Sequence, residues 1–373
     1  MRQNNALQVY YDERHVGTLA MTADYKVAFQ YCEEWLENGF PISPFSLPLK
    51  KQVFVPTKDY FDGLFGVFAD SLPDNWGRLL LNRLLREHKQ NLDELTVLDR
   101  LAIVGKSGMG ALTYYPEKSF SEQQKPVNLD ELAEECAKIL NTEYSDKLDE
   151  LYRLGGTSGG ARPKIMTTID RKDWIIKFPA HVDGKDAGKM EYDYSCCARQ
   201  CGITMSETKL FPSDICKGYF GISRFDREAD GKRLHMLTAA ALLELDFEQP
   251  SLDYHSLMKL TKILTRDNKE DVENMFRRMC FNVFAHNRDD HSKNFTYLYD
   301  EMNDQWRLSP AYDLTYSNTY YGEHTTTVDG NGRNPDRKEL LAVGIAAGMR
   351  KSNCERMIDT IQACVSQMLG EYL

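Results

Sequence analysis

Between residues 272 and 314 the chain passes from an amphipathic helical pattern, VENMFRRMCFNVFA, straight into the polar run HNRDDHSKN. It leaves through the strand pattern FTYLY and a second strand, DQWRLS, to reach SPAYDL. Helix and strand abut so closely that the polar run must lie at their common end as an ordered loop. Asp289 and Asn294 stand five positions apart in it, and Asp313 follows Asn294 by nineteen, beyond the strand pair. That order lets Asn294 and Asp313 offer hard oxygens to one Mg2+ while Asp289 accepts or orients the proton of a hydroxyl. Asp290 and His291 offer an alternative, a His/Asp transition-metal site, but no second histidine lies at ligand spacing, His286 being five residues back.

Phosphoryl transfer needs two further parts, a loop that cradles phosphates and a lysine that neutralises them. Both precede the polar run in the chain. GGTSGGARPK, residues 155–164, holds four glycines, including Gly159 and Gly160, and ends on Lys164. Glycines permit positive φ and close backbone approach, so consecutive N–H groups there can bind an anion. Lys164 is followed by Ile165, which is not the Walker A spacing. Next, WIIKFPA puts Lys177 behind a buried-strand run, with its ammonium at the edge of an apolar slot. Glu191 lies fourteen residues on, in a helix, where a kinase-like fold pairs a glutamate with that lysine.

The rest of the chain divides by pattern. LQVYYDERHVGTLAM alternates like a hairpin about DERH and KVAFQY continues the strand character. SLPDNWGRLLLNRLLREH has helical spacing, with Pro73 and Asp74 as start signals, and NLDELTVLDRLAIV reads as a second helix before the turn GKSGMG. The polar segment 117–128 reads as a linker, which sets units at 1–118, 119–232 and 233–373. The middle unit is an antiparallel sheet (IMTTID, WIIKFP, SETKLF, YFGISRF) with helices, and the last is mainly helical, closing on a pair near 337–348 and 353–370. The fold class is therefore α+β.

Lys plus Arg number 46 against 56 Asp plus Glu, a net charge of −10, which argues against wrapping nucleic acid by bulk charge. The chain has no apolar run long enough for a membrane span and no secretory leader pattern at its start, so a cytoplasmic protein is expected. Nine cysteines without CxxC pairs read as reduced thiols, and the cluster Cys196, Cys197 and Cys201 reads as helix packing rather than metal binding.

GGARPK, IIKFPA, the Glu191 helix, SRFDR at 223–227, DDHSKNF at 289–295, AYDL at 311–314 and NGRNPDRKELL at 331–341 together resemble the HipA family. These are serine/threonine kinases that act as toxins of bacterial toxin–antitoxin pairs. LPDNWGRLLL, with FAD before it, resembles the family's N-terminal subdomain. The resemblance implies a two-lobed protein-kinase-like fold in which Lys177 contacts ATP, Asp289 is the catalytic aspartate and Asn294 and Asp313 bind Mg2+. It further implies that the backbone from Ser223 through Arg224 to Phe225 meets the adenine, with Tyr312 packing on the nucleotide. In this family a hydroxyl of the Gly-rich loop becomes autophosphorylated, which ejects the loop and inactivates the enzyme; Thr157, with Ser158 adjacent, is the matching position. Members often have Glu where this chain has Ser223, and many have Ser where it has Thr157. The implied partners are a small HipB-like helix-turn-helix antitoxin, through which DNA is reached indirectly, and a protein substrate such as an aminoacyl-tRNA synthetase.

Overall fold

The structure is a computed structural model that describes residues 4–89, 95–118, 128–180, 183–246, 249–319 and 321–373. At the N-terminus β1 (Ala6–Tyr11) and β2 (Arg14–Met21) form the expected hairpin across a tight turn at Asp12, which takes a left-handed φ of 51°. With β3 (Val27–Tyr31) and β4 (Leu112–Tyr115) they make an antiparallel sheet in the order β3-β2-β1-β4. The two-residue alternation turns Leu7, Val9 and Tyr11 to one buried face. Between β3 and β4 run α1 (Glu33–Asn38), α2 (Gly66–Ala69), α3 (Asn75–Glu87) and α4 (Val97–Val104). The helix expected across NLDELTVLDRLAIV is shorter than its pattern, because Thr96 and Asp99 form a capping box that starts it at Val97; residues 91–94 lie outside the described residues.

Residues 119–127 of the expected linker also lie outside the described residues. The chain is next described at Asn128, whose side chain caps α5 (Leu129–Leu140) by accepting from the Asp130 and Glu131 amides. Then come α6 (Leu148–Gly155), β5 (Lys164–Ile169), β6 (Lys172–Lys177), α7 (Ala187–Gln200), β7 (Thr208–Phe211) and β8 (Tyr219–Ser223). The four strands form an antiparallel sheet in the order β5-β6-β8-β7. The β5-β6 turn places Asp170 and Arg171 both at positive φ, the geometry that matches strand twist in a two-residue hairpin. Helix α6 leaves little signal in the sequence, since its eight residues give barely two turns of periodicity.

The C-terminal part is mainly helical, as expected: α8 (Ala239–Leu243), α9 (Tyr254–Leu264), α10 (Lys269–Phe284), α11 (Arg337–Ala346) and α12 (Lys351–Leu369). A small sheet interrupts it, with β10 (Thr296–Asp300) central between β11 (Gln305–Leu308) and β9 (Met236–Thr238). Among the described residues two apolar cores hold the molecule together. One joins the N-terminal sheet to the C-terminal helices, where for example Phe40 stacks on Tyr299 at 4.0 Å between ring centroids. The other lies under β5-β6-β8-β7 and takes in α5, α6 and Trp76, Leu80 and Leu84 of α3. Helix α3 therefore serves the core of the middle sheet, although its sequence belongs to the first unit.

Trp76 anchors that arrangement, buried to 1% exposure and donating from Nε1 to the Lys164 carbonyl at 3.2 Å. Gly77 lets α3 approach the Gly-rich loop; a Cβ there would meet the Gly156 carbonyl oxygen at 2.4 Å. Trp76→Ala should lower unfolding stability by about 3–5 kcal/mol, as read by urea denaturation; a loss under about 1 kcal/mol would contradict the shared core.

Candidate active site

Lys177, the last residue of β6, points its ammonium between two carboxylates. It donates to Glu191 Oε1 on α7 at 2.5 Å and to Asp313 Oδ1 on the segment after β11. Its side chain is 12% exposed and that of Glu191 9%, so both charges sit out of water and depend on each other. Burial alone would pull the lysine down; the charges of Asp313 and Glu191 outweigh it and hold it well above the usual lysine range. Burial likewise opposes ionisation of Asp313, but Lys177 and then Lys164 keep it well below the carboxylate range. Glu191 moves upward, because its burial outweighs the pull of Lys177. Asp313 adopts φ 52°, a left-handed conformation that Asp tolerates better than most residues and that costs on the order of 1 kcal/mol.

The polar run forms an ordered loop at the end of α10. His286 turns the chain at φ 51°, and Asn287 is buried, donating to Asn282 Oδ1 at 2.9 Å. The two adjacent aspartates then part company. Asp289 faces outward with its side chain 61% exposed; the cleft still raises its carboxyl, by desolvation first and by the charges of Asp313 and Asp290, with His291 opposing. Asp290 is buried and accepts from Tyr254 Oη at 2.9 Å and from the Thr326 amide at 3.1 Å, with His324 Nδ1 at 3.0 Å. It is the buried footing of the loop, which removes it from any metal site shared with His291. Asn294 ends the one-turn 3-10 helix Ser292–Asn294 and donates from Nδ2 to the Asp289 carbonyl at 2.7 Å, so its Oδ1 is the end left to accept or ligate.

The Gly-rich loop folds inward over this floor. Gly160, at φ +88°, donates its amide to Asp74 Oδ2 at 2.8 Å, and Lys164 is buried with Nζ on the Gly159 carbonyl at 2.6 Å. Burial pulls the Lys164 ammonium down, with Asp313 opposing. Thr157 and Ser158 are both buried, at 6% and 1% exposure. Thr157 Oγ1 donates to the Ser107 carbonyl at 2.9 Å and Ser158 Oγ to that of Gly155 at 2.6 Å.

Asp74 marks the start of α3, as its place in the sequence leads one to expect, but its carboxylate has a second role that the sequence does not show. It occupies the N-cap position of α3, but its side chain makes no cap bond. One oxygen takes the Gly160 amide and the other takes Lys293 Nζ at 2.5 Å, so it ties the Gly-rich loop to the DDHSKN loop. Its carboxyl is held below the usual range, Lys293 and the Gly160 amide overcoming its burial. LPDN is a common helix start, and nothing in the sequence distinguishes a carboxylate turned to the helix from one turned away.

Beyond the floor, Phe225 and Tyr312 pair at 5.4 Å between ring centroids, and Tyr312 Oη donates to the Lys293 carbonyl at 2.6 Å. The Ser223 and Arg224 amides are spent on the carbonyls of Glu207 and Asp173, each within the sheet. Arg224 and Arg227 converge on Asp226, which is fully buried and also accepts the Gly110 amide at 2.7 Å; Arg227 and Arg233 both bond the Gly108 and Gly110 carbonyls. SRFDR thus clamps the turn GKSGMG against the middle sheet.

A HipA-like C-terminal domain pattern matches residues 156–368, and a HipA N-terminal domain pattern matches residues 7–115. This chain belongs to the HipA family. Two Sinorhizobium fredii proteins that carry the word kinase in their names are similar to it. Y4mE is 25% identical over 98% of this chain and 92% of its own length, and Y4dM is 27% identical over 84% and 78%. The fold is that of HipA in the Shewanella oneidensis MR-1 toxin–antitoxin complex with HipB and operator DNA. The TM-score is 0.73 at 16% identity, covering 98% of this chain and 90% of that one. The kinase-like architecture expected from the HipA resemblance is therefore present. Among the described residues no helix is long and apolar enough to cross a membrane.

Asp74→Ala should speed amide hydrogen exchange across residues 155–164 at least tenfold and leave α12 unchanged; unaltered exchange in the loop would refute the tie. Asp226→Asn should cost about 3–5 kcal/mol at neutral pH, since it strands two buried guanidinium groups. Burial opposes ionisation of Asp226, but Arg224 and Arg227 lower its carboxyl from 3.8 to about 2. Its contribution is thus complete above about pH 4 and is lost as pH falls toward 2, so the urea midpoints of wild type and variant should converge in acid.

Proposed function

We propose that this protein is an ATP- and Mg2+-dependent protein serine/threonine kinase that acts as the toxin of a bacterial toxin–antitoxin pair. The observation that carries the reading is the Lys177 ammonium held between Glu191 and Asp313. A structural lysine needs one counter-ion, whereas this one is aimed by a helix carboxylate at the residue that stands where a kinase binds metal. The donor set suits Mg2+: the Asp313 carboxylate and Asn294 Oδ1 are hard oxygens on either side of one hairpin. Bound there with ATP, the cation would neutralise charge on the transferred phosphoryl group.

The chain's own residues supply the rest. Lys177, fixed by Glu191, would hold the nucleotide phosphates, with Lys164 and the Gly159–Gly160 loop beside it as further phosphate contacts. Phe225 and Tyr312 offer an aromatic wall for the base, beside the turn after Ser223 and Arg224. Asp289 stands exposed at the mouth of the site, where an incoming hydroxyl can hydrogen-bond to it and pass it a proton. The footing of Asp290 on Tyr254, His324 and Thr326 keeps that carboxylate in place.

Thr157 and Ser158 are the proposed sites of self-inactivation. Each hydroxyl is now inside the protein, so a phosphoryl group with nearly two negative charges has no room there, and the modified loop must turn out. Family membership supports a HipB-like helix-turn-helix antitoxin as partner, with DNA reached through it, and an aminoacyl-tRNA synthetase as a candidate protein substrate.

Incubating purified, phosphate-free protein with labelled ATP and Mg2+ tests the reading. Label should appear on Thr157 or Ser158 by peptide mapping. Asp289→Asn should cut the rate by about 10³-fold or more without changing the thermal melting temperature by more than a few degrees. Absence of transfer to the protein itself and to polypeptides of a bacterial lysate would overturn it, and turnover of a small alcohol instead would mark a small-molecule phosphotransferase.

A further inference from the structure

The fold exchanges one member of the cysteine cluster at α7, leaving out Cys196 and bringing in Cys364. Cys197 and Cys201 share one face of the helix end, both buried, and α12 brings Cys364 against them. The three Sγ atoms lie within 4.8 Å of one another, and Cys197 and Cys364 are 3.9 Å apart. Met368, one turn beyond Cys364, adds a thioether sulfur 3.7 Å from the Cys364 thiol. Cys196, by contrast, is outside the group and lies against the Arg199 guanidinium.

Packing alone does not account for this geometry. A small apolar residue at any of the three positions would fill the same space, yet four sulfurs from two helices converge here. A tetrahedral or trigonal thiolate site with bonds of about 2.3 Å needs sulfurs about 3.8–4.0 Å apart. The Cys197–Cys364 pair already has that separation, and no pair would need to close by more than about 1 Å. Cys364 is half-buried, which provides a way in from solvent. All nine cysteines are free thiols in the fold, and soft sulfur ligands favour Cu(I) and Zn(II) over the harder cations suited to the Asp313–Asn294 pair.

We propose that Cys197, Cys201 and Cys364 form a binding site for a soft d10 cation, Cu(I) or Zn(II), with Met368 beside it. The site joins α7 to α12. Because α7 also carries Glu191 six residues earlier, the cation fastens the helix that aims Lys177 to the C-terminal helix of the chain. Coordination converts each ligating thiol to a thiolate and releases its proton to solvent, with no change of oxidation state.

Anaerobic titration of the reduced full-length protein with Co2+ tests the site. One equivalent should bind with thiolate-to-metal charge-transfer absorption and the visible bands of a four-coordinate centre. Competition in separate arms, with Zn2+ and with Cu(I) supplied as a chelated complex, should displace it, and the order of the two identifies the cation preferred. Cys364→Ala, at a half-buried position, should weaken binding about 100-fold or more, while Cys196→Ala leaves it unchanged. If Cys364→Ala does not fold, as judged by circular dichroism, Cys201→Ser takes its place with the same expectation. Absence of the charge-transfer band in protein whose thiols are shown to be reduced would overturn the proposal. So would equal affinity in the Cys364→Ala variant, or metal uptake that follows Cys196. None of these readouts depends on kinase activity, so the metal site and the catalytic reading stand or fall separately.

Discussion

A lysine ammonium removed from water has to be met by negative charge, and in this protein that requirement organises half the fold. Lys177 ends β6, Glu191 sits on α7 and Asp313 follows the small third sheet. These are three pieces of chain from both sides of the cleft, and none can shift far without leaving a bare charge inside. The positive φ of Asp313 is a small cost set against that pairing. The same cation thus explains why α7 is pressed against the sheet, why the segment AYDL returns toward it, and why the pairing of charges outweighs the cost of burying Lys177 and Asp313.

The N-terminal unit reaches the site by a different route. Among the described residues it bonds no side chain to Lys177, but Asp74 holds the Gly-rich loop with one oxygen and Lys293 with the other. Ser107 takes the Thr157 hydroxyl, and the Asp226–Arg224–Arg227 cluster holds the neighbouring turn. What looks like an accessory sheet therefore governs the posture of the loop over the site. The division is between residues that would act on substrate, which lie after residue 155, and residues that decide whether the loop is in place, many of which lie before it.

The sequence is most legible where one residue type admits few explanations. The helix, polar loop and strand around DDHSKN, the buried-strand lysine and its glutamate, and the hairpins could be read from pattern, and the structure brings Lys177, Glu191 and Asp313 together. Less could be read where the partner lies far along the chain. Asp74 gives the signal of an ordinary helix cap, and only the fold reveals that its carboxylate looks the other way. Asp289 and Asp290 are indistinguishable by type and adjacent in sequence, yet one meets solvent and the other is walled in by Tyr254, His324 and Thr326. Helix α6 escaped because eight residues carry too little periodicity, and Cys364 because its companions are more than 160 positions away.

The helix that α3 lends to the core of the middle sheet has a bearing on ancestry. Trp76, Leu80 and Leu84 would be exposed on an isolated first unit, and their absence would open a void under β5-β6-β8-β7. Neither piece can be inherited, swapped or shed as a finished module. A chain that keeps the middle sheet must keep α3 with it, or replace that helix with another of equal bulk. The cleft and its N-terminal companion are thus bound to evolve as one heritable unit, and changes in the surface of the first sheet are free to track a partner only as long as the inward face of α3 stays constant.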